Sequence, residues 1–174
     1  MEIPHTTLQR LAFSKYLFSL AVAQTKAPGL MATASLLTFH DAVEFFLQVS
    51  AEELDVGSKN ANFMDYWDLL PKKASFAELP QKESMRRLNK ARIALKHHGT
   101  LPSQLDIEAF NTACTLFLTE TCSSVFGIEF DQISLVEYVD PEAARERLRN
   151  AEQLIRESKF DSASVEVAVA YRIM

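Results

Sequence analysis

Turn-forming residues are scarce in this chain of 174 residues, which holds 4 Gly and 6 Pro. A β-sandwich or barrel needs many tight turns, and long stretches rich in Ala, Leu, Glu and Lys stand here instead. The expected fold class is therefore all-α. Cysteine is almost absent as well. Cys114 and Cys122 lie eight apart in one expected helix, which separates their Cα atoms by about 12 Å, beyond disulfide reach. They are expected as buried thiols in a reducing, cytoplasmic compartment. The sequence contains no H-E-x-x-H, no Cys-x-x-Cys, no G-x-x-x-x-G-K-[ST] and no G-x-S-x-G. Zincin, zinc-finger, P-loop and hydrolase readings lose their support, and neither metal nor cofactor is expected. The opening MEIPHTTLQR lacks the cationic-then-apolar order of a secretory leader, and no uninterrupted apolar run reaches membrane-spanning length. No membrane partner is expected.

Core-forming material is plentiful: 48% of the residues are apolar, with 12 Phe among them. That suffices for a single helical domain over residues 1–174. Periodicity predicts helices over about residues 6–24 and 30–54; in the second, Leu36, Phe39, Val43, Phe46 and Leu47 form one core-facing stripe. A short helix within residues 61–70 and a loop over 72–81 follow. Further helices are expected over about 82–97, stopped by Gly99 and Pro102, and about 106–126, stopped by Gly127. IEFDQISLVEYV reads as a short helix plus an extended piece. DPEAARERLRNAEQLIRES is a clearer helix, with Asp140 as N-cap and Pro141 in first position. A last helix from Asp161 completes a C-terminal helical hairpin. It reaches Met174 on an apolar stretch with no stop signal, as the N-terminal part of a longer protein would.

Charge is unevenly spread. Residues 72–98 hold eight Lys or Arg and two Glu, a net of +6, whereas the remainder nets −11 within an overall −5. A local basic surface on an acidic body can hold a polyanion, phosphate first among them; a solvated helix face is the plainer account. On the 82–97 helix Met85, Leu88 and Leu95 make the apolar stripe, and Arg92 falls inside it. An arginine there needs a carboxylate, a carbonyl, a subunit boundary or an anionic ligand; Glu44 or Asp41 of the second helix would serve as an internal partner. His97 and His98 occupy the last turn, where the helix dipole favours an imidazolium. His40, with Glu44 one turn on, reads as a hydrogen-bonded boundary residue rather than a ligand.

RIALKH, from Arg92 to His97, matches the R-x(4-6)-H signature of the HEPN superfamily, helical nucleotide-binding domains many of which are ribonucleases. LNKARIALKHHGTLPS resembles the form this signature takes in bacterial members. LLTFHDAVEFFLQVSAEEL is similar to their long second helix, and AEQLIRESKFDSASVEVAVAY to their closing hairpin. The resemblance implies a HEPN-like helical bundle acting as an endoribonuclease, a homodimer serving bacterial stress or anti-phage defence, with RNA as substrate and an antitoxin or regulatory protein as partner. It implies Arg92 and His97 as catalytic residues, with His98 and Glu44 as alternatives, and Arg86, Arg87, Lys90 and Lys96 as RNA contacts. Ile93 departs from the pattern, since nuclease members usually carry a polar residue after the arginine. A non-catalytic dimerisation or partner-binding module is the alternative reading, and an adaptor built on the last hairpin a third.

The chemistry such a site requires agrees with these residue types. Metal-independent cleavage needs a base for the 2′-hydroxyl proton, a cation for the phosphorane-like transition state and an acid for the leaving oxygen. Histidine moves protons near neutral pH, and arginine offers fixed donors to phosphate. Five residues of helix set Arg92 and His97 about 140° apart, so a symmetric dimer is expected to bring copies of both into one cleft.

Overall fold

A computed structural model describes residues 3–73 and 78–174, and all regular structure among them is helical. Residues 74–77 of the expected 72–81 loop lie outside the described residues. Packing sorts the chain into two compact units, Met1–Ile133 and Ser134–Met174.

In the first unit α1 (His5–Thr25) lies along α2 (Leu30–Glu53), the two joined by a short turn in which Gly29 adopts φ 61°. That positive φ suits glycine, which has no Cβ to clash. A single turn, α3 (Tyr66–Leu69), runs into a 3₁₀ turn at Leu70–Lys72; α4 (Lys82–His98) and α5 (Gln104–Phe126) follow. α2 is the central helix, packed against α1, α4 and α5. All five stripe residues expected to face the core are buried to 1% exposure or less. Phe46 sits edge-on to Phe117, Phe126 and Phe130, with centroids 5.8–6.3 Å apart, an arrangement that adds quadrupole attraction to buried area. By length and composition alone α2 could also cross a bilayer, and half of that apolar stretch is buried within the protein.

Two buried serines near this core are satisfied by backbone: Ser14 donates to the Ala42 carbonyl and Ser50 to that of Phe46, each at 2.9 Å. Cys114 and Cys122 are free, buried thiols; burial raises the pKa of both, that of Cys122 to about 12. Such thiols remain protonated and unreactive at neutral pH.

Helix ends follow local chemistry, with small shifts from expectation. Gly99 and Gly127 take left-handed conformations that end α4 and α5. α5 starts earlier than about residue 106, because Ser103 caps it and Asp106, its third residue, bonds back to the Ser103 N–H. Asp140 does not cap the penultimate helix; α6 (Glu142–Arg156) follows Pro141. IEFDQISLVEYV holds two 3₁₀ turns, Phe130–Gln132 and Leu135–Tyr138, in place of an extended piece.

The second unit pairs α6 with α7 (Phe160–Ile173) as the expected hairpin. The buried positions of these two helices are alanines, Ala144 and Ala151 on one and Ala163 and Ala170 on the other. The seven-residue spacing repeats one face, and the small side chains let the helices approach closely. Arg149 makes a two-oxygen pair with Glu137, and Ser134 donates to Glu152, which ties the preceding turn to α6.

Phe46→Ala should cost about 3–5 kcal/mol, because three ring contacts and their buried area vanish together. Urea unfolding followed by circular dichroism measures it, and a loss under about 1 kcal/mol would contradict the central position assigned to this ring.

Candidate functional site

The seam between α2 and α4 gathers the polar groups of greatest chemical interest. On α4, Met85 and Leu88 are fully buried, while Asn89 and Arg92 are half-buried. Asn89 and Arg92 are three residues apart and thus share a face. Asn89 Oδ1 lies 3.1 Å from His40 Nε2 across the seam. A carbonyl oxygen can only accept, so Nε2 carries the ring proton and donates.

His40 is not the boundary residue expected from sequence, for only 2% of it is exposed. Phe63 stacks on its ring with centroids 4.2 Å apart and a 25° tilt. The loop carrying Phe63 is held down in turn by Trp67, whose ring lies 5.6 Å from Phe63 and whose indole N–H donates to the Pro80 carbonyl at 3.0 Å. Local sequence hides this, because the aromatic lid lies more than twenty residues downstream of the histidine.

The remaining ring nitrogen, Nδ1, has no hydrogen-bond partner among the described residues. It stands 3.8 Å from Asp41 Oδ1 and 3.8 Å from Glu44 Oε2, too far for hydrogen bonds. Burial is the main influence on the ring and pushes its pKa below 6.5; Glu44 acts against this, and the positive charge of Arg92 lowers the pKa further. His40 is therefore neutral near pH 7, and its approach to the two carboxylates is not an ion pair.

Arg92 forms no ion pair with Glu44 or Asp41, the partners expected for an internal salt bridge. Among the described residues it has no hydrogen-bond or ion-pair partner, although its charge is felt at His40. A half-buried guanidinium without a carboxylate keeps its donors available to an outside anion. Elsewhere on α4 the cations divide into two groups. Lys82 pairs with Asp68 at 2.9 Å, Arg86 with Glu83, and Arg87 more loosely with Asp106 at 3.6 Å. Lys90 and Lys96 are exposed and, among the described residues, have no such partner. The uncompensated charge thus sits in the C-terminal half of the helix.

His97 and His98 are both exposed in the last turn of α4. His97 stands about 7.5 Å further along the axis than Arg92 and about 140° around it, so a single chain does not aim the pair at one point. Arg92 is gathered with Asn89, His40 and Glu44; His97 is outside that group. Ile93, beside Arg92, is 41% exposed. Sequence alone makes His40 a hydrogen-bonded boundary residue and does not single out Asn89; the signal available is the His40–Glu44 spacing of one helical turn.

No family model matches the chain, and no curated protein or solved structure is significantly similar to it.

Because folding lowers the pKa of His40, the unfolded chain binds more protons between the native value and 6.5. This residue's contribution to stability should be fully present above pH 6.5, shrink as pH falls below it, and level off once pH passes the native pKa. Imidazole C–H resonances followed by NMR should show His40 titrating below 6.5, and the excess pH dependence should vanish in His40→Gln. A His40 titration at or above 6.5 would contradict the buried, neutral ring.

Proposed function

We propose that the C-terminal half of α4 is an RNA phosphodiester site and that the protein is a metal-independent endoribonuclease of HEPN type. The observation that carries this reading is Arg92, a half-buried guanidinium with no partner among the described residues. Such a group contacts a phosphate bidentately and neutralises charge that develops on it. Lys90 and Lys96 flank it and would hold the neighbouring phosphates, whereas Arg86 and Arg87 spend part of their charge on Glu83 and Asp106.

The cleavage is an attack by the RNA 2′-hydroxyl on its own phosphorus. A base removes the 2′-proton, the P–O5′ bond breaks, and an acid protonates the departing 5′-oxygen, leaving a 2′,3′-cyclic phosphate. His97, exposed in the last turn of α4, takes the proton role, with His98 as the adjacent substitute. Because Arg92 and His97 point apart on one helix, the working site combines two chains of a homodimer across the α4 surface. In a bacterial cytoplasm this activity would serve stress or anti-phage defence and would be held in check by an antitoxin or regulatory protein. The exposed Ile93 favours one alternative, a non-catalytic HEPN-like module in which the same surface joins two copies through apolar contact.

Purified protein should cleave RNA in excess EDTA and leave 2′,3′-cyclic phosphate ends. Arg92→Ala should reduce the single-turnover rate about 10²- to 10³-fold, the cost of one lost transition-state donor. Products ending in 3′-hydroxyl would point to attack by water and overturn the mechanism. Absence of cleavage by a dimeric, folded protein would favour the non-catalytic module. Lys90→Ala should instead weaken RNA binding and reduce the slope of log K against log salt by about 1 while leaving the saturated rate near that of the parent. Filter binding at several salt concentrations separates the two effects, and a rate loss equal to that of Arg92→Ala would refute the division of roles.

A further inference from the structure

Three electron-rich atoms converge on the α2 side of the seam, and none has a proton to share with the others. His40 Nε2 spends the ring proton on Asn89 Oδ1, so Nδ1 presents a lone pair. Asp41 Oδ1 and Glu44 Oε2 each lie 3.8 Å from that nitrogen. The three atoms lie within 4.8 Å of one another. His40 is 2% exposed and Nδ1 is unpartnered, so the protein has desolvated a nitrogen and turned it toward two carboxylates without satisfying it.

We propose that His40 Nδ1, Asp41 and Glu44 bind one divalent first-row transition-metal ion, Zn²⁺ by ligand type, with a remaining coordination position left to water. One imidazole and two carboxylates supply the nitrogen and oxygen donors that Zn²⁺ takes in three-ligand sites. A hard ion such as Mg²⁺ or Ca²⁺ would make poor use of the nitrogen. Tetrahedral coordination at ordinary bond lengths sets ligand atoms about 3.4 Å apart. The Nδ1–oxygen pairs therefore need to close only slightly, and both carboxylates have the solvent exposure to turn inward. Asn89 supplies the outer acceptor that metal-bound histidines usually have, holding the ring and its tautomer in place. The charge balance also favours a dication, because two carboxylates outweigh Arg92, the one cation among the described residues whose charge is felt at His40. This site stands apart from the RNA reading, since the ion has no assigned part in cleavage.

Titration of the full chain with Zn²⁺ by calorimetry, repeated with Co²⁺ by visible absorption, tests the proposal. A His97→Gln/His98→Gln background removes the exposed histidine pair as a competing ligand. One ion per chain should bind saturably, and Zn²⁺ should displace Co²⁺. Asp41→Asn/Glu44→Gln in that background should abolish saturable binding, and Asn89→Leu should weaken it about 10- to 100-fold. Far-UV circular dichroism checks that each variant is folded, and the double variant changes only side chains with solvent access. Binding unchanged in the double variant would overturn the proposal. So would the lack of saturable binding to the reference protein below millimolar metal.

Discussion

The burial of α2 constrains the first unit more than any other feature. Packed against α1, α4 and α5, this helix buries half of its residues, so each polar group on its buried face must find a partner or remain as an uncompensated cost. Its buried serines, Ser35 and Ser50, manage through backbone carbonyls. His40 manages only half of its requirement: Nε2 bonds Asn89, and Nδ1 is left facing carboxylates that it cannot bond while neutral. A core built for stability alone would place an aliphatic side chain there, and the stacked Phe63 shows that the surroundings could accommodate one.

Arg92 presents the opposite case across the same seam. It stands where the α4 stripe should be apolar, and the acids that could neutralise it are directed at His40 instead. A half-buried cation and a buried lone pair, side by side and both unmatched, are hard to explain as accidents of packing, since each costs free energy unless something external completes it. The two demands are complementary in sign: Arg92 calls for an anion, and the imidazole with its carboxylates calls for a cation. Proximity couples them, because the charge of Arg92 is already felt at His40.

Much of the architecture was legible in the sequence. The α2 stripe, the glycine stops of α4 and α5 and the closing hairpin depend on periodicity and capping, which act over a few residues. The expected start of α5, about residue 106, falls two residues late, because Ser103 caps the helix and the Asp106 carboxylate reaches back to it from inside. Arg92 was recognisable as misplaced from helical spacing alone. Its lack of a salt bridge was not, since that depends on where Asp41 and Glu44 point. His40 was misjudged because its burial is supplied by Phe63 and Asn89, from distant stretches of chain. The division of the chain into two compact units likewise depends on packing between helices, to which neither composition nor period is sensitive.

The central claim is that Arg92 is held for an external anion and contributes nothing to the stability of the free protein. Replacing it with methionine, which keeps the volume and removes the charge, tests this when unfolding free energy and RNA affinity are measured on the same preparation. The account predicts that Arg92→Met is as stable as the parent or more so, because an uncompensated charge has left the seam, while RNA affinity falls. A destabilisation of about 3–5 kcal/mol, the usual cost of breaking a buried ion pair, would show that Arg92 has an internal partner in solution and would contradict the account.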